Sequence, residues 1–165
     1  KWTGDMALEV HGDPTPIDLA ELDLIVAELN DLQSEVRLTV VPDDGNVQLY
    51  FSSVEAFGAV EPNYRNGNNG FFWTYWRGGA IVRANIFVLK TQAEVYRRHL
   101  LREELTQSMG LMNDSNLYDD SIFYAPWTDV TAFSELDKTI IGMLYREDIE
   151  VNMGAEEVLD ILDPE

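Results

Sequence analysis

The sequence predicts an α+β fold in which a mixed or antiparallel sheet packs on one long helix, followed by C-terminal helices. Strand patterns fill about the first 90 residues, helix patterns fill most of the remainder, and no internal repeat or interdomain linker separates them. A chain of 165 residues is long enough to enclose one core. We therefore expect one domain over residues 1–165, with a sheet-rich half (about 1–90) and a helical half (about 91–165).

The charge of the chain limits its partners. Thirty acidic residues against 11 basic ones give a formal net charge of -19. Nucleic acid binding depends on Lys and Arg neutralising phosphates, so nucleic acid is excluded as a partner, and anionic membrane surfaces are disfavoured. A strongly acidic surface suits solubility first, and also divalent cations, basic partners or a saline environment.

The chain contains no cysteine, so disulfides, thiolate zinc sites and cysteine nucleophiles are excluded together. No stretch approaches the roughly 20 apolar residues of a membrane span. Because the sequence starts at Lys1 without an initiator Met or an apolar leader, we expect that a targeting segment has been removed.

The N-terminal half reads as strands around one helix. Residues 5–11 alternate as a strand, and apolar residues at helical spacing predict a helix from Ile17 to Leu32. Strand patterns over Val36–Val41 and Val47–Phe51 are separated by the turn residues 42–46. This arrangement predicts a β-hairpin.

An aromatic strand follows an Asn- and Gly-rich loop. The loop spans Asn63–Gly70, the strand Phe71–Trp76 is aromatic on both faces, and Arg77-Gly78-Gly79 predicts a turn into a long strand over Ala80–Leu89. One aromatic face could lie in solvent as a protein or glycan platform, with Trp73, Tyr75 and Trp76 as candidate contacts. The alternative is that these rings pack in the core.

The helical half contains three predicted helices. Apolar spacing predicts a helix over Gln92–Met112, and an acidic irregular loop then continues through Asp129. Ser134 is placed to cap a helix over Glu135–Tyr145, with Asp137 completing the capping box, and a short helix is predicted over Ala155–Leu162.

One segment of the long helix carries a recognisable motif. Residues 103–110 read Glu-Glu-Leu-Thr-Gln-Ser-Met-Gly, which resembles the H-E-x-x-H-x-x-G helix of zinc peptidases of the zincin and metzincin type. The resemblance implies a zincin-like fold in which Glu104 stands at the position of the general base. Glu103, Gln107 and Asn113 stand at the positions of the three metal-binding histidines, so zinc is not expected.

The chain resembles a second group of proteins over roughly Ala80–Gly154. Residues 133–145, with Phe-Ser-Glu-Leu-Asp-Lys at their start and Leu-Tyr at their end, are similar to the closing helix of matrixin-type zincins. A bacterial family that includes lipoproteins is still more similar, over both residues 133–145 and the segment Glu103–Ser115. That family carries a degenerate form of the zincin H-E-x-x-H helix. That resemblance implies a periplasmic or envelope location, with a possible lipid anchor upstream, and leaves the activity open.

These observations favour a pseudo-metallopeptidase, a non-catalytic zincin-like module that binds a protein, envelope or glycan partner. Its relic cleft would contain Glu104 with Glu103, Gln107, Asn113 and Asp114. A carboxylate and an amide in place of imidazoles make a hard oxygen site that is poorly matched to catalytic zinc. The alternative is an unorthodox metal-dependent hydrolase in which these oxygens hold Ca²⁺, Mg²⁺ or Mn²⁺.

Simpler interpretations remain open for several of these residues. The charged helix face could be an exposed surface with pairs such as Glu94 with Arg98. The acidic loop 114–120 lacks the central Gly and final Glu of a twelve-residue calcium loop, which favours a solvated loop. His11 and His99 are the two histidines, have no spaced catalytic partner, and are predicted to be surface or packed residues.

Overall fold

A computed structural model describes residues 1–163. It contains five strands and five helices, and so confirms the predicted α+β class with a mixed sheet. The elements in chain order are β1 (Met6–Gly12), α1 (Pro16–Leu32), β2 (Leu38–Val41), β3 (Val47–Ser52), α2 (Val54–Val60), β4 (Gly70–Arg77), β5 (Ala80–Leu89), α3 (Glu94–Gln107), α4 (Glu135–Leu144) and α5 (Ala155–Leu162). No helix within residues 1–163 is long and apolar enough to cross a membrane.

The five strands form one sheet in the order β2-β1-β3-β5-β4. Strands β2 and β3 each pair with β1 in parallel, and β3 also pairs with β5 in parallel. Strand β4 runs antiparallel to its neighbour β5. Gly78 and Gly79 make the predicted turn between β4 and β5 with φ of 61° and 88°, conformations that glycine adopts without steric cost. Strand β4 is therefore an edge strand that hydrogen-bonds to one neighbour.

The predicted hairpin of β2 and β3 is wrong. Both strands pair in parallel with β1, one on each side, and β2 ends opposite Glu9 while β3 begins opposite Leu8. This stagger lets the short segment between them cross over β1. At the crossing, a Cβ on Gly45 would lie 2.7 Å from the Cβ of Glu9, so only glycine allows this close approach.

Hydrogen bonds to β1 hold that crossing segment in place. The Ala7 amide donates to the side chain of Asn46 at 2.8 Å, and the Gly45 amide donates to the Glu9 carboxylate at 3.0 Å. The turn residues thus serve β1 instead of closing a hairpin, because a central strand must satisfy the backbone groups on both of its edges.

Helices α1 and α3 cover one face of the sheet. Their apolar residues meet those of the strands in the main core, represented by Leu22, Ile25, Leu29, Leu101, Leu105, Leu8, Leu49 and Ile86. Charged side chains also join the two helices: Arg102 pairs with Glu21 at 2.9 Å, and both side chains are 3% exposed. Arg98 also pairs with Glu21, at 2.8 Å, so the expected Glu94–Arg98 surface pair is replaced by contacts to α1.

The end of α3 and the presence of α2 differ from the sequence prediction. Helix α3 ends at Gln107 and not at Met112, because Gly110 with φ of 132° takes the backbone out of the helical region. Helix α2 was not predicted. It is short, begins after the cap Ser53, and places the buried Phe57 against Phe87 on the face of the sheet opposite α1 and α3, with ring centroids 4.7 Å apart.

Helix α4 begins with the predicted capping box. Ser134 caps it, and the Asp137 carboxylate accepts the Ser134 amide at 2.8 Å. Asp137 is fully buried and also accepts from the Ser121 hydroxyl at 2.5 Å and the Ile122 amide at 3.0 Å. One carboxylate therefore holds both the start of the helix and the irregular segment 113–133.

We expect Asp137→Ala to lower the free energy of unfolding by about 3 kcal/mol, because it leaves three donors without their acceptor. Glu135→Ala is the matched control: it lies in the same first turn, its side chain is 90% exposed, and its loss should change stability by less than about 0.5 kcal/mol. Urea unfolding measures both values, and equal effects would contradict this role of Asp137.

Candidate functional site

The C-terminal half of α3 carries the motif residues and lies against the start of β4. Glu104 and Gln107 are buried, with 7% and 5% of their surface exposed. Glu103 is half-buried, while Asn113 and Asp114 are exposed in the segment after the helix. The helical repeat places Glu103, Glu104 and Gln107 on neighbouring rows of one helix face. The relic cleft is therefore a mixture of buried and exposed side chains.

The carboxyl group of Glu104 packs against the backbone of β4. A Cβ on Gly70 would lie 2.3 Å from Glu104 Oε1 and 2.7 Å from Leu100 Cδ2, so glycine at the first position of the strand provides the space for this carboxyl. Sequence reasoning missed Gly70, because its role depends on a contact between residues that are distant in the chain.

Glu104 makes no side-chain hydrogen bond within residues 1–163, yet its oxygens are not sealed. Within residues 1–163, Arg102 Nε is the only side-chain nitrogen or oxygen that is both sealed from solvent and without a hydrogen-bond partner. The Glu104 oxygens, which also lack a partner, therefore still contact solvent. Burial raises the pKa of Glu104 well above its usual range, and the negative charges of Glu103 and Asp114 raise it further. Glu104 is therefore a carboxyl group with a raised pKa and no hydrogen-bond partner within residues 1–163, whose oxygens still contact solvent.

Gln107 is fixed by Asp114. Its Nε2 donates to Asp114 Oδ1 at 2.5 Å, because a carboxylate can only accept from the amide nitrogen. The amide orientation is thereby set, and Oε1 of Gln107 remains as an acceptor. The structure thus brings together two of the predicted residues, Gln107 and Asp114, through a direct hydrogen bond.

Glu103 contacts a histidine that the motif does not include. His99, one helical turn earlier, lies 3.4 Å from the Glu103 carboxylate through Nε2, and its Nδ1 lies 2.6 Å from the carbonyl of Val130. Burial alone would lower the pKa of His99, but Glu103 and the Val130 carbonyl outweigh it and raise the pKa. His99 is packed, with its side chain 4% exposed, and it ties α3 to the segment 113–133.

The donor set does not form a metal centre as it stands. No group of three or more His, Cys, Asp or Glu side chains within the described residues 1–163 is placed to hold a metal ion. Glu103 faces His99, Gln107 faces Asp114, and Asn113 is exposed. A catalytic zinc site requires three protein ligands around one open position, an arrangement that these contacts do not provide.

The aromatic strand β4 divides its rings between core and solvent. Trp73 and Trp76 are 39% and 51% exposed, whereas Tyr75 is half-buried and donates to Glu61 at 2.7 Å. Trp73 stacks on Phe71 with ring centroids 6.4 Å apart. Of the three aromatic candidates, the two tryptophans offer surface to a partner and Tyr75 supports the fold.

Two cavities adjoin this region and share Met112. One, of about 380 Å³, is bordered by β4 and is lined by Phe71, Phe72, Trp73, Thr74, Trp76 and Met112. The second, also of about 380 Å³, lies between the segment after α3 and helix α4, with Leu111, Phe123, Leu136 and Ile140 among its lining. The second cavity was not predicted, because no local pattern shows that α4 returns to the end of α3.

The sequence profile of the family described as Protein of unknown function (DUF2927) matches residues 1–164. No curated protein matches the chain. Two solved structures of myroilysin, which has a metallopeptidase-like fold, are similar to it. One superposes with a TM-score of 0.55 at 8% identity, covering 88% of this chain and 84% of that chain. The other has a TM-score of 0.53 at 11% identity, covering 89% and 82%. At such identities the likeness is one of fold.

We expect Gly70→Ala to lower the free energy of unfolding by about 1 to 3 kcal/mol, because the new methyl group overlaps the Glu104 carboxyl and Leu100. The same substitution in a Glu104→Ala background should cost less, since part of the overlap is gone. A double-mutant cycle by chemical denaturation measures the coupling. Additive effects would show that Glu104 does not approach Gly70 as described.

Proposed function

Because this chain belongs to the DUF2927 family and shares its fold with myroilysin, we propose that it is a non-catalytic, pseudo-metallopeptidase binding module. In this proposal residues 1–165 act as one zincin-like domain. The relic cleft and the exposed edge of β4 hold an extended segment of a protein partner.

The observation that carries the proposal is the free edge of β4. Within residues 1–163 this strand ends the sheet and pairs with β5 alone, so its outer backbone groups can accept an added strand. Trp73 and Trp76 stand exposed on it, and exposed aromatic rings beside a cavity are typical anchors for a partner. A segment paired with β4 would pass along the cavity that ends at Met112.

The contacts of the motif residues support a binding role over zinc catalysis. Two of the three positions that hold histidine in the zincin motif, Glu103 and Gln107, already contact His99 and Asp114. Glu104, at the position of the general base, packs against Gly70. A zinc-bound water needs three protein ligands around one open position, and a base that is free to move its proton.

The proposal extends to location and partners. The resemblance to bacterial envelope proteins favours a periplasmic or envelope site, with an anchor upstream of Lys1 as part of the proposal. The charge of -19 argues against nucleic acid and for a protein partner. A glycan is a second candidate because Trp73 stacks on Phe71 and a flat exposed ring can also receive a sugar face.

The alternative is a metal-dependent hydrolase with oxygen ligands. It is favoured by Asp114, which bonds to Gln107 and acts electrostatically on Glu104, since carboxylate and amide oxygens suit Ca²⁺, Mg²⁺ and Mn²⁺.

We expect peptides selected on the wild-type protein from a displayed random library to bind Trp76→Ala at least about tenfold more weakly, because the variant removes an anchor beside β4. Trp127→Ala is the matched control. Trp127 is 54% exposed and packs on Tyr96, with ring centroids 4.9 Å apart, so its loss should leave affinity unchanged. Library peptides that bind both variants equally, or no selected peptide at all, would sink the module proposal.

The hydrolase alternative is tested by metal content. Protein purified without chelator or affinity metal is expected to contain much less than one equivalent of Zn, Ca, Mg or Mn by mass spectrometry, because the ligand positions are already occupied by internal contacts. One equivalent of a hard cation, lost in Glu104→Gln but kept in Glu94→Gln, would favour the hydrolase and direct an activity screen with that metal.

A further inference from the structure

Two polar side chains of the relic cleft are more than nine-tenths buried, and each keeps at least one oxygen without a hydrogen-bond donor among the described residues. The Glu104 carboxyl is 7% exposed and unpartnered within residues 1–163. The amide of Gln107 is 5% exposed and uses its only donor group on Asp114, which leaves its oxygen. Polar groups this deeply buried are usually hydrogen-bonded, so the unused oxygens of Glu104 and Gln107, which still touch solvent, point to a donor supplied from outside the chain.

We propose that this part of the cleft receives a cationic side chain, a Lys ammonium or an Arg guanidinium, carried by the extended segment that binds along β4. The charged end would donate to Glu104, with the Gln107 oxygen and Asp114 as neighbouring acceptors. This inference rests on the proposed function and names the chemistry of its partner.

Electrostatics favours a cation at this point. Burial and the like charges of Glu103 and Asp114 hold the pKa of Glu104 up, so an incoming positive charge is attracted to Glu103 and Asp114 and favours the ionised form of Glu104. The nearest cation on α3, Arg102, is engaged with Glu21 and Glu28 of α1. His99, on the same helix, faces Glu103, so no ion pair within residues 1–163 involves Glu104.

Geometry favours a side chain over a bare metal ion. No set of three His, Cys, Asp or Glu ligands converges within residues 1–163, whereas an ammonium or guanidinium needs only separate acceptors around its several N–H groups. Gly70 lies beside the Glu104 carboxyl, and the half-buried Phe72 follows two residues later on β4. The aliphatic stem of a Lys or Arg side chain would therefore contact apolar surface while its charged end reached Glu104.

The first probe is argininamide, with citrullinamide as its neutral counterpart of nearly equal shape. We expect chemical shift changes at Gly70, Glu104 and Gln107 on titration with argininamide, and affinity at least about tenfold weaker for citrullinamide. Glu104→Gln should weaken argininamide binding by at least about tenfold. Glu94→Gln, an exposed carboxylate in the same helix, should leave it unchanged and so controls for the general negative charge.

A second measurement uses the wild-type protein alone. A cation favours the ionised form of Glu104, whose pKa is raised in the free protein, so binding should release protons and tighten as the pH rises toward that pKa. Calorimetry in two buffers with different ionisation enthalpies measures the released protons. This readout does not depend on whether the Glu104→Gln variant folds normally.

Three results would overturn the inference: equal binding of the two amides, argininamide binding that survives Glu104→Gln, or no binding at about 50 mM probe. Failure here is separable from failure of the binding module. Peptides that bind in a Trp76-dependent manner but show no preference for Lys or Arg would leave the module standing and remove the cationic partner.

Discussion

The buried ion pair between Arg102 and Glu21 is the constraint on which the rest of the site depends. Both side chains are 3% exposed and lie between α1 and α3, and the Arg102 guanidinium also stacks over the Phe133 ring at 4.5 Å. A buried pair of this kind gives little net stability but penalises every packing in which either charge is left alone. It therefore fixes the rotation of α3, and with it the direction of Glu103, Glu104 and Gln107.

Much of the fold could be predicted because its signals are local. The capping box at Ser134 and Asp137, the apolar spacing of α1 and the Gly78-Gly79 turn each depend on residues a few positions apart, and all three agree with the structure. The pairing of β2 and β3 could not be predicted in this way. It depends on Gly45 approaching Glu9 and on β1 needing two neighbours, both of which are contacts across the sequence.

The same distinction separates the predicted part of the site from the rest. Helical periodicity places Glu103, Glu104 and Gln107 together without any knowledge of the fold. Their environments come from elsewhere: Gly70 makes room for Glu104, Val130 orients His99 and Asp114 turns the amide of Gln107. Residue identity at the motif thus indicates which chemistry is lost, while the contacts indicate what replaces it.

Replacing imidazole by carboxylate and amide changes what the cleft can attract, beyond removing zinc. A neutral histidine offers one lone pair to a metal and one N–H to a supporting group, whereas Glu103 and Gln107 add oxygen acceptors next to the buried acid Glu104. Burial raises the pKa of Glu104, and the negative charges of Glu103 and Asp114 raise it further. A cleft with this balance is complementary to a positive donor, which is why we propose that it receives a basic side chain.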